Sequence, residues 1–218
     1  RIVKKYPSQK RTRFLRFDEF SALGVAMRKA EMSGENSTAI AAITAIALTG
    51  CRRGEILGLP WKWLDEENSC LRFGDTKTGA QIRPIGKTAL DFLAGLPRTD
   101  KQEWVFPASG GDGHFVGLPR VFKSLCKQAE IEDASIHTLR HSFASAAAGL
   151  GYSELTIAGL LGHSLTGITA RYAHMPDKAL IMAADKISER IFEALNGKVD
   201  AEIVEFPDRP KLKAKFHP

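Results

Sequence analysis

The chain has 218 residues, of which 44% are hydrophobic and 26% charged, the composition of an ordinary globular protein rather than a disordered one. This length suffices for a domain with its own core, and the longest apolar run, from Ala39 to Leu48, is too short to cross a membrane. The formal net charge of +6 suggests a polyanionic partner without establishing one. Three cysteines without CxxC spacing argue against a disulfide framework and suit a reducing cytosol, so we expect a cytoplasmic protein.

The first part of the chain is a basic segment followed by two predicted helices. Lys and Arg crowd residues 1–16, which are either a solvated linker or a contact for a polyanion. Apolar positions at helical spacing predict a helix over residues 18–32. A second apolar helix follows Asn36 or Ser37 as its N-cap, and Gly50 interrupts it.

The middle of the chain predicts a hairpin. RRGEILGL indicates a short helix ended by Pro60. SCLRFGD and AQIRPIG are short extended stretches, and the Thr-Lys-Thr-Gly turn between them places Lys77 at or near the hairpin tip.

Four later helices are predicted over residues 87–96, over 119–129, between Ser153 and Gly162, and from Asp177 to Gly197. The order of helices, small sheet and helices indicates a mostly helical α+β domain with a small antiparallel sheet.

The cluster HTLRH is the first candidate for chemistry. His137 and Arg140 are three residues apart and share a face of a helix, and His141 lies one turn after His137. Two histidines at this spacing also occur in zinc sites, but such a site needs a third ligand and an acidic partner. The arginine between them would repel a divalent cation and favours an oxyanion instead, so we expect no metal site.

Other basic residues recur along the chain. TGCRRGEIL carries two arginines directly after a helix break, and TKTG carries a lysine on a turn. Each alone has an ordinary explanation. Exposed arginines and lysines are usually only solvated surface residues, and a single histidine is usually a hydrogen-bonded residue of the core. Their joint appearance, in the order Arg, Lys, HxxR, GH and Tyr, is what indicates a site.

In these motifs the chain resembles the catalytic domain of the tyrosine recombinases of the phage integrase family. Four stretches carry the resemblance in the family's order, over roughly residues 40–175: LTGCRRGEILGLPW, TKTGAQIRPI, IHTLRHSFAS and LLGHSLTGITARYAH. The resemblance departs from the commoner family pattern at IRPIG, where the proline precedes the aliphatic residue.

The resemblance implies a set of six catalytic residues: Tyr172 as the nucleophile, with Arg52, Lys77, His137, Arg140 and His163 around it. A tyrosine that attacks a phosphodiester must lose a proton with a reference pKa of about 10, so the site must activate it. The arginines can clamp the phosphate oxygens, the histidines can accept or donate protons there, and the lysine can protonate the leaving 5′-oxygen. This chemistry implies no cofactor and no metal ion.

Two neighbours of the first arginine complete the expected site. Arg53 competes with Arg52 for its role, but one helical step turns a residue by about 100°, so we expect Arg53 to be a surface or DNA-backbone residue. Glu55 lies one turn after Arg52 and can orient it through a salt bridge.

The resemblance also implies an organisation and partners. Residues 1–16 resemble the linker from a separate amino-terminal DNA-binding domain, residues 17–197 the catalytic domain, and residues 198–218 a tail that can dock on a neighbouring protomer. The implied partner is double-stranded DNA. The chain is expected to be a monomer when free and to form a homo-tetramer on DNA, and no membrane is involved. The implied setting is a bacterial or phage-encoded enzyme that acts on nucleoid DNA during recombination or integration of a mobile element.

Two other functions fit the same residues. A type IB topoisomerase uses much the same set to relax DNA without exchanging partners, and the LGH motif favours the recombinase. A catalytically silent DNA-binding regulator of the same fold is the alternative outside enzymes, and the intact set of six residues argues against it.

Overall fold

The computed structural model describes residues 13–76, 79–99, 101–163 and 178–198, without the side chains of residues 75, 76, 79 and 80. In this part of the chain eight α-helices accompany one three-stranded antiparallel sheet, which confirms the predicted α+β class. Within the described ranges, no helix is both long and apolar enough to span a lipid bilayer.

The second helix forms the centre of the core. Helix α1 spans Phe17–Met32, and α2 spans Ser37–Thr49. Asn36 is the N-cap of α2, and its side chain accepts a hydrogen bond from the backbone of Ala39. Residues 42–50 are all buried, as expected for a helix that is apolar on every side.

The sheet is a hairpin with a very short third strand. Strands β2 (Cys70–Thr76) and β3 (Gly79–Pro84) pair antiparallel, as predicted, while β1 (Leu64–Asp65) pairs with β2 on its other edge. The third strand was not predicted, because two residues are too few to show an alternating pattern. Lys77, the predicted hairpin tip, lies outside the described residues.

The remaining helices pack around α2 and the last helix. They are α3 (Arg53–Leu57), α4 (Lys87–Ala94), α5 (Leu118–Gln128), α6 (Ile136–Gly149), α7 (Glu154–Leu161) and α8 (Lys178–Leu195). Helix α8 packs against α1, α2, α4, α6 and α7, with an apolar face that includes Ile187, Ile191 and Leu195. The predicted helices are therefore present, with ends within a few residues of those expected.

Candidate active site

Arg52 stands where α2 gives way to α3. Gly50 ends α2 with a left-handed φ of 63°, which costs glycine little, and Cys51 follows as a fully buried residue. Arg52 is the N-cap of α3. The Glu55 carboxylate accepts two hydrogen bonds from Arg52, one from the backbone N–H at 2.7 Å and one from Nη1 at 2.8 Å. The expected salt bridge is present, and it holds an arginine whose side chain is 50% exposed.

Arg140 is the buried counterpart of Arg52. It projects from α6 with 4% of its surface exposed. Nη1 donates to the carbonyl oxygen of Gly50 at 2.8 Å, and Nη2 donates to that of Leu161 at 2.9 Å. Both carbonyls lie at helix ends, where the last C=O groups have no partner within their own helix. Arg140 thus joins the ends of α2 and α7 and is fixed in place before any ligand arrives.

His163 follows the glycine that ends α7. Ser153 caps the start of this helix, with its hydroxyl accepting from the backbone of Thr156, and Gly162 ends it with a φ of 64°. Nε2 of His163 lies 3.1 Å from Nη2 of Arg140. A guanidinium has no acceptor atom, so Nε2 accepts this bond and the ring proton of the neutral imidazole is on Nδ1.

Arg52 and Arg140 line one small cavity. Its volume is about 320 Å³, and it is lined by Cys51, Arg52, Arg53, Gly54, Ile136, His137 and Arg140. A larger cavity of about 530 Å³ lies among α1, α2 and the end of α8 and has a mainly apolar lining, which includes none of the predicted catalytic residues that the structure describes. The smaller cavity is therefore the candidate site.

The electrostatics of the cavity favour an anion. Burial, then the charges of Arg52 and Arg83, lowers the pKa of Arg140 to about 10, so this arginine stays charged at neutral pH. Partial burial lowers the pKa of His137, and His141, Arg140 and Arg52 add to the effect. The pKa of His163 is lowered as well, first by partial burial and then by the charges of Arg140, Arg52 and Arg83. Both imidazoles are thus neutral at pH 7, and a neutral imidazole can accept a proton.

Four of the six predicted catalytic residues lie in the described part of the chain, and they are close together. Arg52, His137 and Arg140 line the cavity, and His163 contacts Arg140. Lys77 and Tyr172 lie outside the described residues. The rings of His137 and His141 are in edge-to-face contact, with centroids 4.6 Å apart, so His141 packs beside the site.

Arg53 is exposed, as expected for a surface residue. It also lines the same cavity as Arg52, which the predicted turn away from Arg52 did not anticipate. The expected rotation of about 100° assumes that both residues are helical. Arg52 instead has an extended backbone, with φ −69° and ψ 150°, and the helix begins at Arg53.

One basic residue near the site was missed. Arg83 of β3 is fully buried, and its Nη2 lies 3.5 Å from Oε1 of Glu55. The sequence does show an arginine directly before Pro84, but its neighbours in the strand suggested only packing and no role in the site. An anchored arginine, a second arginine held by a carboxylate and two neutral imidazoles can together bind a phosphate group and move protons at it.

Comparisons with known proteins agree with this chemistry. A model of the phage integrase family matches residues 13–179. The prophage integrase IntF of Escherichia coli is 29% identical over 142 residues, or 63% of this chain and 30% of that protein. The tyrosine recombinase XerD of Rhizobium meliloti is 32% identical over 152 residues, or 64% of this chain and 48% of that protein.

A solved structure shares the fold. The XerH site-specific recombinase, crystallised bound to its difH substrate, superposes with a TM-score of 0.55 at 18% identity, over 73% of this chain and 51% of that one. The chain spans less than half the length of both IntF and the Rhizobium meliloti XerD. Because the family model covers most of its residues, the chain belongs to the phage integrase family.

Proposed function

We propose that this chain is the catalytic domain of a site-specific DNA recombinase, which cuts and rejoins DNA strands through a covalent 3′-phosphotyrosyl intermediate. One observation carries the proposal: Arg52, His137 and Arg140 line a single cavity, and His163 is hydrogen-bonded to Arg140 beside it. In a member of the phage integrase family, this cavity suits the phosphodiester that is cut.

The two arginines have different tasks in this proposal. Arg140 is preorganised, because its bonds to Gly50 and Leu161 fix the guanidinium before DNA binds. Arg52 is half exposed and can turn from Glu55 towards a phosphate oxygen. Together they stabilise the negative charge of the pentacoordinate transition state, so the reaction needs neither a metal ion nor ATP.

The remaining residues move protons and form the covalent bond. His137 is neutral at pH 7 and can accept the proton that Tyr172 loses. His163 can donate to a phosphate oxygen from Nδ1, since Nε2 is engaged with Arg140. Tyr172 attacks the phosphorus, the 5′-oxygen leaves with a proton from Lys77, and a free 5′-hydroxyl later reverses the step. The phosphotyrosyl bond conserves the energy of the bond that was cut.

The proposal includes partners and a division of the chain. The substrate is double-stranded DNA, bound by a homo-tetramer that forms from free monomers, and the relative XerH was crystallised with a DNA substrate. Residues 1–16 serve as a basic linker from an amino-terminal DNA-binding domain, residues 17–197 as the catalytic domain, and residues 198–218 as a tail that docks on a neighbouring protomer. Removal of Asp200 to Pro218 should then abolish cooperative assembly on DNA, and unchanged cooperativity would refute the role of the tail.

A trapped covalent adduct tests the reaction. The chain is incubated with a pool of nicked duplexes carrying a randomised central segment, so that the short cut strand diffuses away and the intermediate accumulates. We expect a protein–DNA adduct that survives denaturation and is lost in Tyr172→Phe. Tyr152→Phe is the matched control and should keep it. An adduct that persists in Tyr172→Phe, or no adduct with any duplex, would overturn the proposal.

A further inference from the structure

The hairpin contributes a buried arginine to the neighbourhood of the candidate site. Arg83 has no exposed surface, faces Leu71 across the β2–β3 pair and lies 5.8 Å from the centroid of the Phe73 ring. Within the described residues its Nε is a buried donor without a hydrogen-bond partner. Burying a guanidinium is costly unless other groups compensate its charge, so its position requires an explanation.

Glu55 supplies the compensating charge, and it is shared between two arginines. Oε1 of Glu55 lies 2.8 Å from Nη1 of Arg52 and 3.5 Å from Nη2 of Arg83. The second distance is at the long end of the hydrogen-bond range, so Arg83 acts on Glu55 mainly as a nearby charge. The side chain of Arg52 is 50% exposed, those of Glu55 and Arg83 only 17% and 0%. The carboxylate therefore has one exposed partner, Arg52, and one buried partner, Arg83.

This arrangement matters when a phosphate enters the cavity. In the proposed reaction, Arg52 then turns from Glu55 towards the phosphate oxygens. If Arg52 were the only cation nearby, that movement would leave a largely buried carboxylate unpaired, which is strongly unfavourable. With Arg83 beside it, Glu55 keeps a partner and Arg52 is free to bind the phosphate.

Arg83 also contacts the turn that carries His163. Its Nη1 donates to the carbonyl oxygen of Leu160 at 3.4 Å, next to the Leu161 carbonyl that Arg140 holds. A Cβ atom on Gly162 would come within 2.2 Å of Nη2 of Arg83, so the guanidinium packs directly against this turn. The same side chain thus reaches both Glu55 and the residue before His163.

We propose that Arg83 is a positioning residue of the recombination site: it retains Glu55 when Arg52 turns to the phosphate, and it supports the turn that carries His163. This inference rests on the proposed function, because the movement of Arg52 is a step of DNA cleavage. Arg83 is not among the described residues that line the cavity, so it acts through Glu55 and the turn before His163.

Three variants of the full chain test the proposal: Arg83→Met, Arg83→Lys and the control Arg72→Met. Arg72 lies on β2, is 42% exposed and pairs with Asp65, so it matches Arg83 in residue type but not in location. The first readout is the rate of adduct formation at saturating DNA from the randomised nicked pool, with DNA affinity measured separately.

We expect Arg83→Met to slow adduct formation on the order of 100-fold, the scale of a small displacement of a catalytic group, with little change in DNA affinity. Arg83→Lys keeps the charge near Glu55 and should restore part of the rate, while Arg72→Met should react like the unmodified chain. Equal impairment in Arg83→Lys and Arg83→Met, or a normal rate in Arg83→Met, would overturn the proposal. If Arg83→Met does not fold, the rate of Arg83→Lys decides, because a folded lysine variant with no activity would also contradict it.

A second readout needs no DNA. The His163 imidazole is titrated by NMR, and Arg83→Met should raise its pKa because one of the positive charges that lower it is gone. If the unmodified chain forms no adduct but this pKa rises, the proposed function fails while the coupling of Arg83 to the site stands. If adducts form and Arg83→Met changes neither the rate nor the His163 titration, the positioning role is refuted and the proposed function stands.

Discussion

Arg140 of α6 donates a 2.8 Å hydrogen bond to the carbonyl oxygen of Gly50, ninety residues earlier in the chain. The same guanidinium holds the carbonyl of Leu161. One side chain therefore fixes the positions of the segments that carry Arg52 and His163. It follows that Arg140 contributes both to the stability of the fold and to DNA cleavage, whereas Arg52 contributes mainly to DNA cleavage.

Arg140→Met should destabilise the fold. The substitution leaves two helix-end carbonyls buried without partners, and each costs about 1–3 kcal/mol. We expect the free energy of unfolding, measured in urea, to fall by about 3 kcal/mol, with loss of adduct formation. An unchanged urea midpoint would show that these two bonds do not hold the ends of α2 and α7.

Arg52→Met should separate activity from stability. Its side chain is 50% exposed, and Glu55 keeps Arg83 nearby when Arg52 is replaced, so the loss of this pair should cost little more than that of an exposed pair, about 0–1 kcal/mol. We expect a stability change within about 1 kcal/mol but a loss of adduct formation on the order of 100-fold, by analogy with the removal of an oxyanion donor. Arg16→Met is the control: it breaks another exposed ion pair, that with Asp18, away from the cavity, and it should change neither property much.

Gly162→Ala should be more harmful than an alanine at another left-handed glycine. Gly162 has a φ of 64°, and a Cβ there would also overlap the guanidinium of Arg83 at 2.2 Å. Gly34 has a φ of 83° but no atom within 4 Å of the same position. We expect Gly34→Ala to cost about 1–2 kcal/mol from backbone strain, and Gly162→Ala about 1–3 kcal/mol more from overpacking. If both variants lose the same free energy of unfolding in urea, the Arg83 side chain moves aside at little cost.

Acid should weaken the fold through the two site histidines. The pKa values of His137 and His163 are lowered in the folded chain, so below the ordinary value of about 6.5 the unfolded chain binds more protons. Their contribution to stability is complete above that value and is lost as the pH falls through the folded pKa values. Both residues are exposed, so the effect should be small. His137→Gln and His163→Gln should each flatten the fall in stability between pH 7 and 5, and an unchanged profile in the double variant would contradict this assignment.

Much of the helical framework could be predicted from local signals. Asn36 and Ser153 are caps whose side chains bond the first turns, and Gly50 and Gly162 end helices in left-handed conformations that suit glycine. These features depend on residues a few positions apart, so the sequence displays them directly. The motif positions of Arg52, His137, Arg140 and His163 followed from the family resemblance.

The contacts between distant segments could not be predicted in the same way. Burial of Arg83 depends on β3 packing against the end of α7, 77 residues away, and no periodicity displays such a contact. The share of Arg53 in the cavity lining was not predicted, because the rotation argument treats both arginines as helical and the helix begins only at Arg53. The bonds from Arg140 to Gly50 and Leu161 likewise appear only after the chain has folded.

The most direct measurement maps the covalent bond. The adduct formed with the nicked duplex pool is digested with nuclease and protease, and the modified peptide is sequenced by mass spectrometry. The account predicts a 3′-phosphonucleotide on Tyr172 and a free 5′-hydroxyl on the released strand. A nucleotide on Tyr6 or Tyr152, a 5′-linked nucleotide, or strand cleavage without any protein-bound nucleotide would contradict it.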